Sequence, residues 1–391
     1  MIRIGLPLAH ADGSWIGGVN YLSNLVQAFY SLPERQIELV ILQDRGVPDA
    51  ILEAFPKTEA IKTSMLTGRT VSRVVGKGLE RSIGRNLIFE ALLHANNIQA
   101  LTHTSPPGRR SPIPALTWVP DFQHVHLPQM FSAKQIAQRE NGLKEIVDGS
   151  SLILVSSEDA RTDLIALFPE AAARSRVLKF VSGLSYSGHI PSLPELQTRY
   201  HLSELYFHLP NQFWVHKNHT LAVEALAILA QRGIKAQVIC TGHTDDFRNP
   251  GYFQKFKANV HACDLVDQIK ILGVVPYADL RALMYHSIAV INPSRFEGWS
   301  TSVEESKSLG KRILLSDIAV HREQSPDRSS YFGVDDPASL ADHMEEALEL
   351  FSTRDEQHFT EAAAQQLPLR VMEFGKEFHD ILLELTKSAR K

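Results

Sequence analysis

Two cysteines in 391 residues, Cys240 and Cys263, are too few for a disulfide framework, and no CxxC zinc spacing occurs. That scarcity fits a reducing cytoplasm. No run approaches the roughly 18 apolar residues needed to span a bilayer. The opening MIRIGLPLAHADGSW lacks the basic start and apolar core of a signal peptide, so a soluble protein is expected. A basic excess is missing too: the formal net charge is −4, which argues against a general nucleic-acid binder. G-x-G-x-x-G does not occur, and a nicotinamide-dependent oxidoreductase loses its main support. Internal repeats and low-complexity tracts are also absent.

What remains is a chain of globular composition, 44% apolar and 21% charged, long enough for two α/β domains. Apolar runs at residues 2–8, 37–42 (IELVIL), 98–103 (IQALTH), 115–119 (ALTWV) and 151–157 (SLILVSS) alternate with helical patterns, which argues for a parallel sheet. RVLKFV closes this first domain, residues 1–185. A Ser-, Gly- and Pro-rich stretch follows, and residues 186–204 are expected to link to a second domain at 205–369. There the strands are LYFHLP, AQVICTG, QIKILG, IAVIN and RILLS. The fold class is α/β, two Rossmann-like domains, with a last helix over 370–391.

Residues 288–310, IAVINPSRFEGWSTSVEESKSLG, organise the second domain. A buried strand over Ile288 to Asn292 gives way to a Pro-Ser turn and then a helix. Thr301 with Glu304 three residues on is a capping-box pattern, so the helix is expected to start at Thr301, and Gly310 is placed to stop it. A helix N-terminus at the carboxyl end of a strand offers free N–H groups and a positive dipole end to a phosphate. Gly298 lets backbone approach such a ligand. Glu297 and Glu305, eight positions apart, frame the site. Carboxylates repel phosphate but accept hydrogen bonds from sugar hydroxyls, so the pattern suits a sugar nucleotide. Glu304 is better explained as a helix-start acid.

EGWSTSVEE resembles the E-x7-E signature of the retaining GT-B glycosyltransferases of family 4 (glycosyl transferases group 1), and NPSRFEG and LLSDIAVHREQSP resemble its flanks. The resemblance implies that Glu297 contacts the donor sugar and Glu305 the nucleotide ribose. It also implies two domains facing each other across a cleft, with the 370–391 helix crossing back to the first. NQFWVHKNH resembles a further family motif in which Lys217 faces the diphosphate. The family often places an Arg five residues before that Lys; this chain has Gln212 there, beside Asn211, and Arg295 is a conceivable replacement. The stretch ILGVVPYADLRALM resembles the segment whose backbone, around Val274 and Val275, holds the nucleobase edge.

In the first domain, PDFQHVHLPQMFS is similar to a family pattern HD-x-Q-H-x-x-x-P-E-x-F. Pro120 stands where its His is expected, which leaves Asp121, with His124, as the candidate facing donor sugar or acceptor. Gly17 and Gly18 are expected just before the first helix. On turn chemistry alone they are plain turn residues; the resemblance implies a loop near the diphosphate.

The implied reaction moves a sugar from a nucleotide sugar to a hydroxyl of a glycan or lipid-linked acceptor in cell-surface polysaccharide assembly, with retention. Lys217, the amides around Ser300, Thr301 and Ser302 and the helix dipole would stabilise the leaving diphosphate, and Glu297 would orient the sugar. No Asp-x-Asp occurs, which fits a site needing no metal and no cofactor. The rival class is a catalytically inactive sugar-nucleotide-binding subunit, favoured by the missing Arg and His.

One stretch stands outside this scheme. Arg69, Arg73, Lys77, Arg81 and Arg85 recur every four residues, and Val71, Val75, Leu79, Ile83 and Leu87 do so offset by two. On a helix these stripes lie on opposite faces. Either the helix meets anionic lipid headgroups at the inner face of a membrane, or a solvated basic face covers a core-facing apolar one. Gly76, Gly78 and Gly84 weaken a helix here.

Overall fold

The computed structural model of the chain describes residues 1–9, 16–68, 70–183, 189–246 and 248–388. The chain divides into two compact units, Met1–Ser185 with Leu369–Lys391, and Tyr186–Pro368. Each is a parallel sheet of Rossmann type.

The first unit holds β1 (Ile2–Leu8), β2 (Ile37–Asp44), β3 (Glu59–Thr63), β4 (Ile98–Thr102), β5 (Ala115–Trp118), β6 (Leu152–Val155) and β7 (Ser175–Val177). Their order is β3-β2-β1-β4-β5-β6-β7. The chain winds outward from β1 in both directions, so the switch point lies between β1 and β4, where Ile4 pairs with Ala100. The helix Ile16–Ser31 follows β1. Gly17 and Gly18 fall inside its first turn rather than ahead of it, and the preceding residues 10–15 lie outside the described residues.

The second unit holds β8 (Phe207–Leu209), β9 (Val238–Thr241), β10 (Ile269–Gly273), β11 (Val290–Asn292), β12 (Ile313–Ser316) and β13 (Ser329–Phe332), ordered β10-β9-β8-β11-β12-β13. Successive residues of a strand point to opposite faces, and both faces are covered by helices. Ile291 and Leu314 join Phe207, Leu226 and Leu340 on one side; Val290, Ile313 and Leu315 meet Val303 and Met284 on the other. The switch point here is the β8–β11 pair, His208 beside Val290.

The stretch expected to link the domains is built into the second unit instead. Leu193–Tyr200 is a helix, started by Ser192, whose N–H donates to the Glu195 carboxylate at 2.7 Å. Its Leu196 is buried against Tyr206 and Leu283, and Arg199 pairs with buried Asp279 at 2.6 Å.

The final helix is longer than expected, Thr353–Ser388, with Pro368 inside it. Its first half belongs to the second unit, where Glu356 pairs with buried Lys311 at 2.6 Å. Its second half belongs to the first unit. Gly375 lies so close to the helix Ile16–Ser31 that a Cβ would come within 2.4 Å of the Ala28 carbonyl, and Arg176 pairs with Glu384.

The charged stretch at 69–87 forms the helix Val71–Ile83, with Arg69 outside the described residues. Its glycines have structural reasons. Gly84, at φ 78°, is the left-handed cap, and a Cβ on Gly76 would sit 2.4 Å from Asn86 Oδ1, which itself accepts from the Phe89 N–H and caps the next helix, Leu87–Ala95. The expected core-facing apolar stripe is not formed: Val71, Val75, Ile83 and Leu87 are all exposed.

Candidate functional site

Ligands of open parallel sheets sit at the carboxyl edge, at the switch point. In the second unit the two loops leaving that point carry Lys217, after β8, and Glu297, after β11. Lys217 Nζ lies 2.6 Å from Glu297 Oε1, with both side chains largely buried. Burial opposes ionisation of Glu297, but Lys217 outweighs it and holds the carboxyl down at about 2. Glu297 is therefore ionised at neutral pH.

A layer of amides and hydroxyls beneath it fixes the loop. Asn292, the last residue of β11, donates through Nδ2 to Ser300 Oγ (2.9 Å) and accepts at Oδ1 from Asn211 Nδ2 (3.1 Å). The Ser294 hydroxyl lies 2.6 Å from Asn292 Oδ1 and 2.7 Å from Glu297 Oε1, so its one proton serves either acceptor in turn.

The helix Thr301–Ser308 begins at the expected residue, but its cap position is Ser300, not Thr301. Gln324 does the capping. Its Oε1 accepts from the Ser300 N–H at 3.2 Å, and its Nε2 lies 3.0 Å from both the Ser300 carbonyl and Glu304 Oε1. The Ser300 amide is thus already used, and its hydroxyl is turned to Asn292. A phosphate is left with the first-turn amides of Thr301 and Ser302, which the helix itself cannot satisfy. Gly298 lies between Glu297 and this cap, half-buried.

Glu305 is buried one turn further, accepting from the Tyr277 hydroxyl at 3.1 Å. Burial pushes its carboxyl up to about 7, while Tyr277 and the charge of Arg281 pull the other way. Val274, 56% exposed, and Val275, half-buried, lie ahead of Tyr277 between β10 and the helix Tyr277–His286.

Asn218 precedes the helix His219–Gln231 in left-handed conformation, φ 55°, but its side chain does not cap it; Nδ2 donates to the Val334 carbonyl at 2.9 Å. Gln212 is half-buried in the β8 loop. The guanidinium of Arg295, the conceivable replacement for the missing cation, pairs with exposed Asp335 at 2.5 Å. His321 is a site neighbour that sequence reasoning missed. Its Nδ1 lies 2.9 Å from the Ser316 carbonyl, burial holds it neutral, and its Nε2 has no partner among the described residues. The only signal was its place in the flank LLSDIAVHREQSP.

The first unit holds the other candidates. Asp121 Oδ1 accepts from the Gln123 N–H at 3.0 Å and pairs with Arg139 at 2.7 Å, so the carboxylate is already committed to a turn and an ion pair. His124 is buried against Phe131, and both its ring nitrogens lack a partner among the described residues. Burial holds it neutral. Not anticipated was an aromatic cluster at the carboxyl edge. His103, left-handed at φ 59° just after β4, lies with Nε2 2.8 Å from the Tyr21 hydroxyl, and Tyr21 stacks on Trp118 at 4.6 Å.

Residues 204–366, nearly the whole second unit, match the family model of glycosyl transferases group 1. The chain is 24% identical to O-antigen chain mannosyltransferase B of Escherichia coli over 245 residues, which is 62% of this chain and 63% of that protein. The chain thus spans under two thirds of that relative's length. Among solved structures, a glycosyltransferase from Rickettsia africae superposes with a TM-score of 0.69 at 15% identity, covering 100% of this chain and 99% of that one. HepE of Anabaena, in complex with UDP and glucose, gives 0.67 at 13% identity, over 98% and 100%. WaaG, a glycosyltransferase involved in lipopolysaccharide biosynthesis, gives 0.62 at 12%, over 97% and 99%. These likenesses show the GT-B fold: two parallel-sheet, Rossmann-like domains.

Proposed function

We infer, taking residues 204–366 as a glycosyl transferases group 1 domain, that this chain moves a sugar from a nucleotide sugar to a hydroxyl of a glycan or lipid-linked acceptor, with the anomeric configuration retained. The observation that carries the reading is the buried Lys217–Glu297 pair at the switch point, beside a helix N-terminus and a second buried carboxylate, Glu305. A cation, two first-turn amides and two buried carboxyl groups match a diphosphate with hydroxyls on either side of it.

In this reading the diphosphate lies against the Thr301 and Ser302 amides with Lys217. Glu305 accepts from the ribose hydroxyls, Glu297 from those of the donor sugar, and the backbone at Val274 and Val275 meets the base. Asn211, Gln212 and the backbone at Gly298 line the same loops. The bond from the anomeric carbon to the diphosphate oxygen breaks with its electron pair going to the diphosphate. The acceptor oxygen bonds the same carbon on the same face, and its proton passes to the departing phosphate oxygen. Lys217 and the helix dipole stabilise the charge that develops, a term typically worth a few kcal/mol per oriented group. That positive charge is why no metal ion enters the scheme. His124 and Asp121 are assigned to the acceptor side, His124 because a buried imidazole without partners can take a hydroxyl.

The O-antigen relative favours a mannosyl donor and a surface-polysaccharide acceptor, so GDP-mannose heads the list, ahead of UDP and dTDP sugars. A thermal-shift panel of GDP, UDP, dTDP and ADP, with and without Mg²⁺, tests the reading. A ligand at 100 times its Kd stabilises the fold by about 2.7 kcal/mol. One nucleotide standing out without metal supports the assignment; no shift with any of the four overturns it.

A further inference from the structure

The helix Val71–Ile83 shows three sectors around its axis, at about 100° per residue. Ser72, Gly76, Leu79 and Glu80 turn inward, Gly76 against Asn86. Arg73, Lys77 and Arg81 form the next sector. Between that sector and the inward one lie Val71, Val74 and Val75, which are 81%, 59% and 48% exposed. Three β-branched apolar side chains facing water on one helix serve no packing in the unit.

The fold adds to this face two cations distant in sequence. The Pro-rich loop after β4 is fastened to the end of the helix: the Asn86 N–H donates to the Pro107 carbonyl at 2.7 Å and the Arg110 N–H to the Gly84 carbonyl at 2.9 Å. A Cβ on Gly108 would lie 2.4 Å from the Gly84 carbonyl, so only glycine permits the approach. Arg109 and Arg110, both exposed, are thereby set at the C-terminal end of the helix, with the Arg110 side chain packed on Gly84 next to Arg85. The acids nearby are few. Glu80 pairs with Lys77, Glu90 with Arg85, and Asp44 lies in the field of Arg73. Arg81, Arg109 and Arg110 have no acidic partner among the described residues. A locally cationic face on a chain of net charge −4 is not a consequence of composition.

We propose that this face docks on an anionic lipid bilayer, with Val71, Val74 and Val75 entering the headgroup boundary and Arg81, Arg109 and Arg110 meeting lipid phosphates. An interfacial helix requires this pairing of an apolar sector with flanking cations, and no spanning segment. No helix among the described residues is long and apolar enough to cross a membrane. The surface lies in the first unit and is independent of the nucleotide site, so either assignment can fail without the other.

The test is co-sedimentation of the full chain with vesicles of phosphatidylcholine alone and of phosphatidylcholine with about one third phosphatidylglycerol. Binding is expected only to the anionic vesicles. Each of R81E, R109E and R110E should weaken it by at least about five-fold, the value of one basic residue near such a surface. The triple variant V71S/V74S/V75S should lose the binding that survives high salt. Thermal unfolding and nucleotide-induced stabilisation should be unchanged in all of these variants, since the residues are exposed. Wild-type chain left in the supernatant with anionic vesicles overturns the proposal, as does full binding by the variants. Sedimentation velocity provides a further check: a dimer lost in the valine variant assigns the face to a second copy of the chain instead and equally overturns it.

Discussion

Lys217 Nζ and Glu297 Oε1 are 2.6 Å apart, on the two loops that leave the switch point of the second sheet, although 80 residues separate them in the chain. The cation is what keeps the buried carboxylate charged. Removing Lys217 alone strands that charge, and breaking a buried pair in this way typically costs about 3–5 kcal/mol. Lys217→Met is expected to lose stability on that scale, and Lys217→Met/Glu297→Gln to recover most of it, as read by urea denaturation. Equal losses in both variants would show that the charges are not coupled. Because the Glu297 pKa is depressed in the fold, the pair's contribution is full above about pH 4.5 and is lost as pH falls toward 2.

Glu305 has the opposite sign. Its carboxyl, pushed up to about 7 by burial, binds its proton more tightly folded than unfolded. The ligand-free protein therefore loses stability as pH rises from about 4.5 to 7, by at most about 3 kcal/mol. Glu305→Gln removes that loss. The variant should be more stable than wild type at pH 8, indistinguishable at pH 4, and deficient in nucleotide binding. Parallel stability–pH curves for the two proteins would contradict a Glu305 carboxyl raised by burial.

Gln324 holds the helix Thr301–Ser308 at its cap residue, Ser300. Gln324→Ala leaves the buried Ser300 N–H and carbonyl without their side-chain partner, a loss of about 1–3 kcal/mol. Thermal unfolding measures this, and calorimetry should show weaker nucleoside diphosphate binding as the helix N-terminus loosens. Full stability in the variant would mean that water replaces the cap at no cost.

Gly310 ends the same helix at φ 66°, and a Cβ there would lie 2.3 Å from the Phe359 carbonyl. Gly310→Ala should cost at least about 1 kcal/mol from backbone strain alone. A neutral effect on chemical denaturation would show that the first half of the final helix is not tightly seated.

The parts legible in the sequence are those specified by a few adjacent residues. The run IRIGLPL gave β1 to the residue, and E-x7-E marked the strand, turn and helix that bear Glu297 and Glu305. Partners supplied from elsewhere in the chain were not legible. Thr301 with Glu304 looked like a capping box, yet Gln324, some twenty residues on, supplies the cap, because a buried side chain with both donor and acceptor satisfies Ser300 on both sides. The valines of Val71–Ile83 have a core-facing period, and only tertiary packing through Gly76 decides which sector turns inward. The supposed linker hid a legible signal, Ser192 with Glu195, beneath its Ser-Pro composition. Nothing local marks His103, Tyr21 and Trp118 as neighbours, since the ends of β4 and β5 and the helix Ile16–Ser31 bring them together.

The most direct measurement is calorimetric titration of Lys217→Gln and wild type with the nucleoside diphosphate selected by the panel and with its bare nucleoside. If Lys217 faces the diphosphate, the variant loses at least about ten-fold in diphosphate affinity, worth 1.4 kcal/mol, and binds the nucleoside as wild type does. Equal diphosphate affinity in the two proteins would place the phosphates elsewhere and contradict the site.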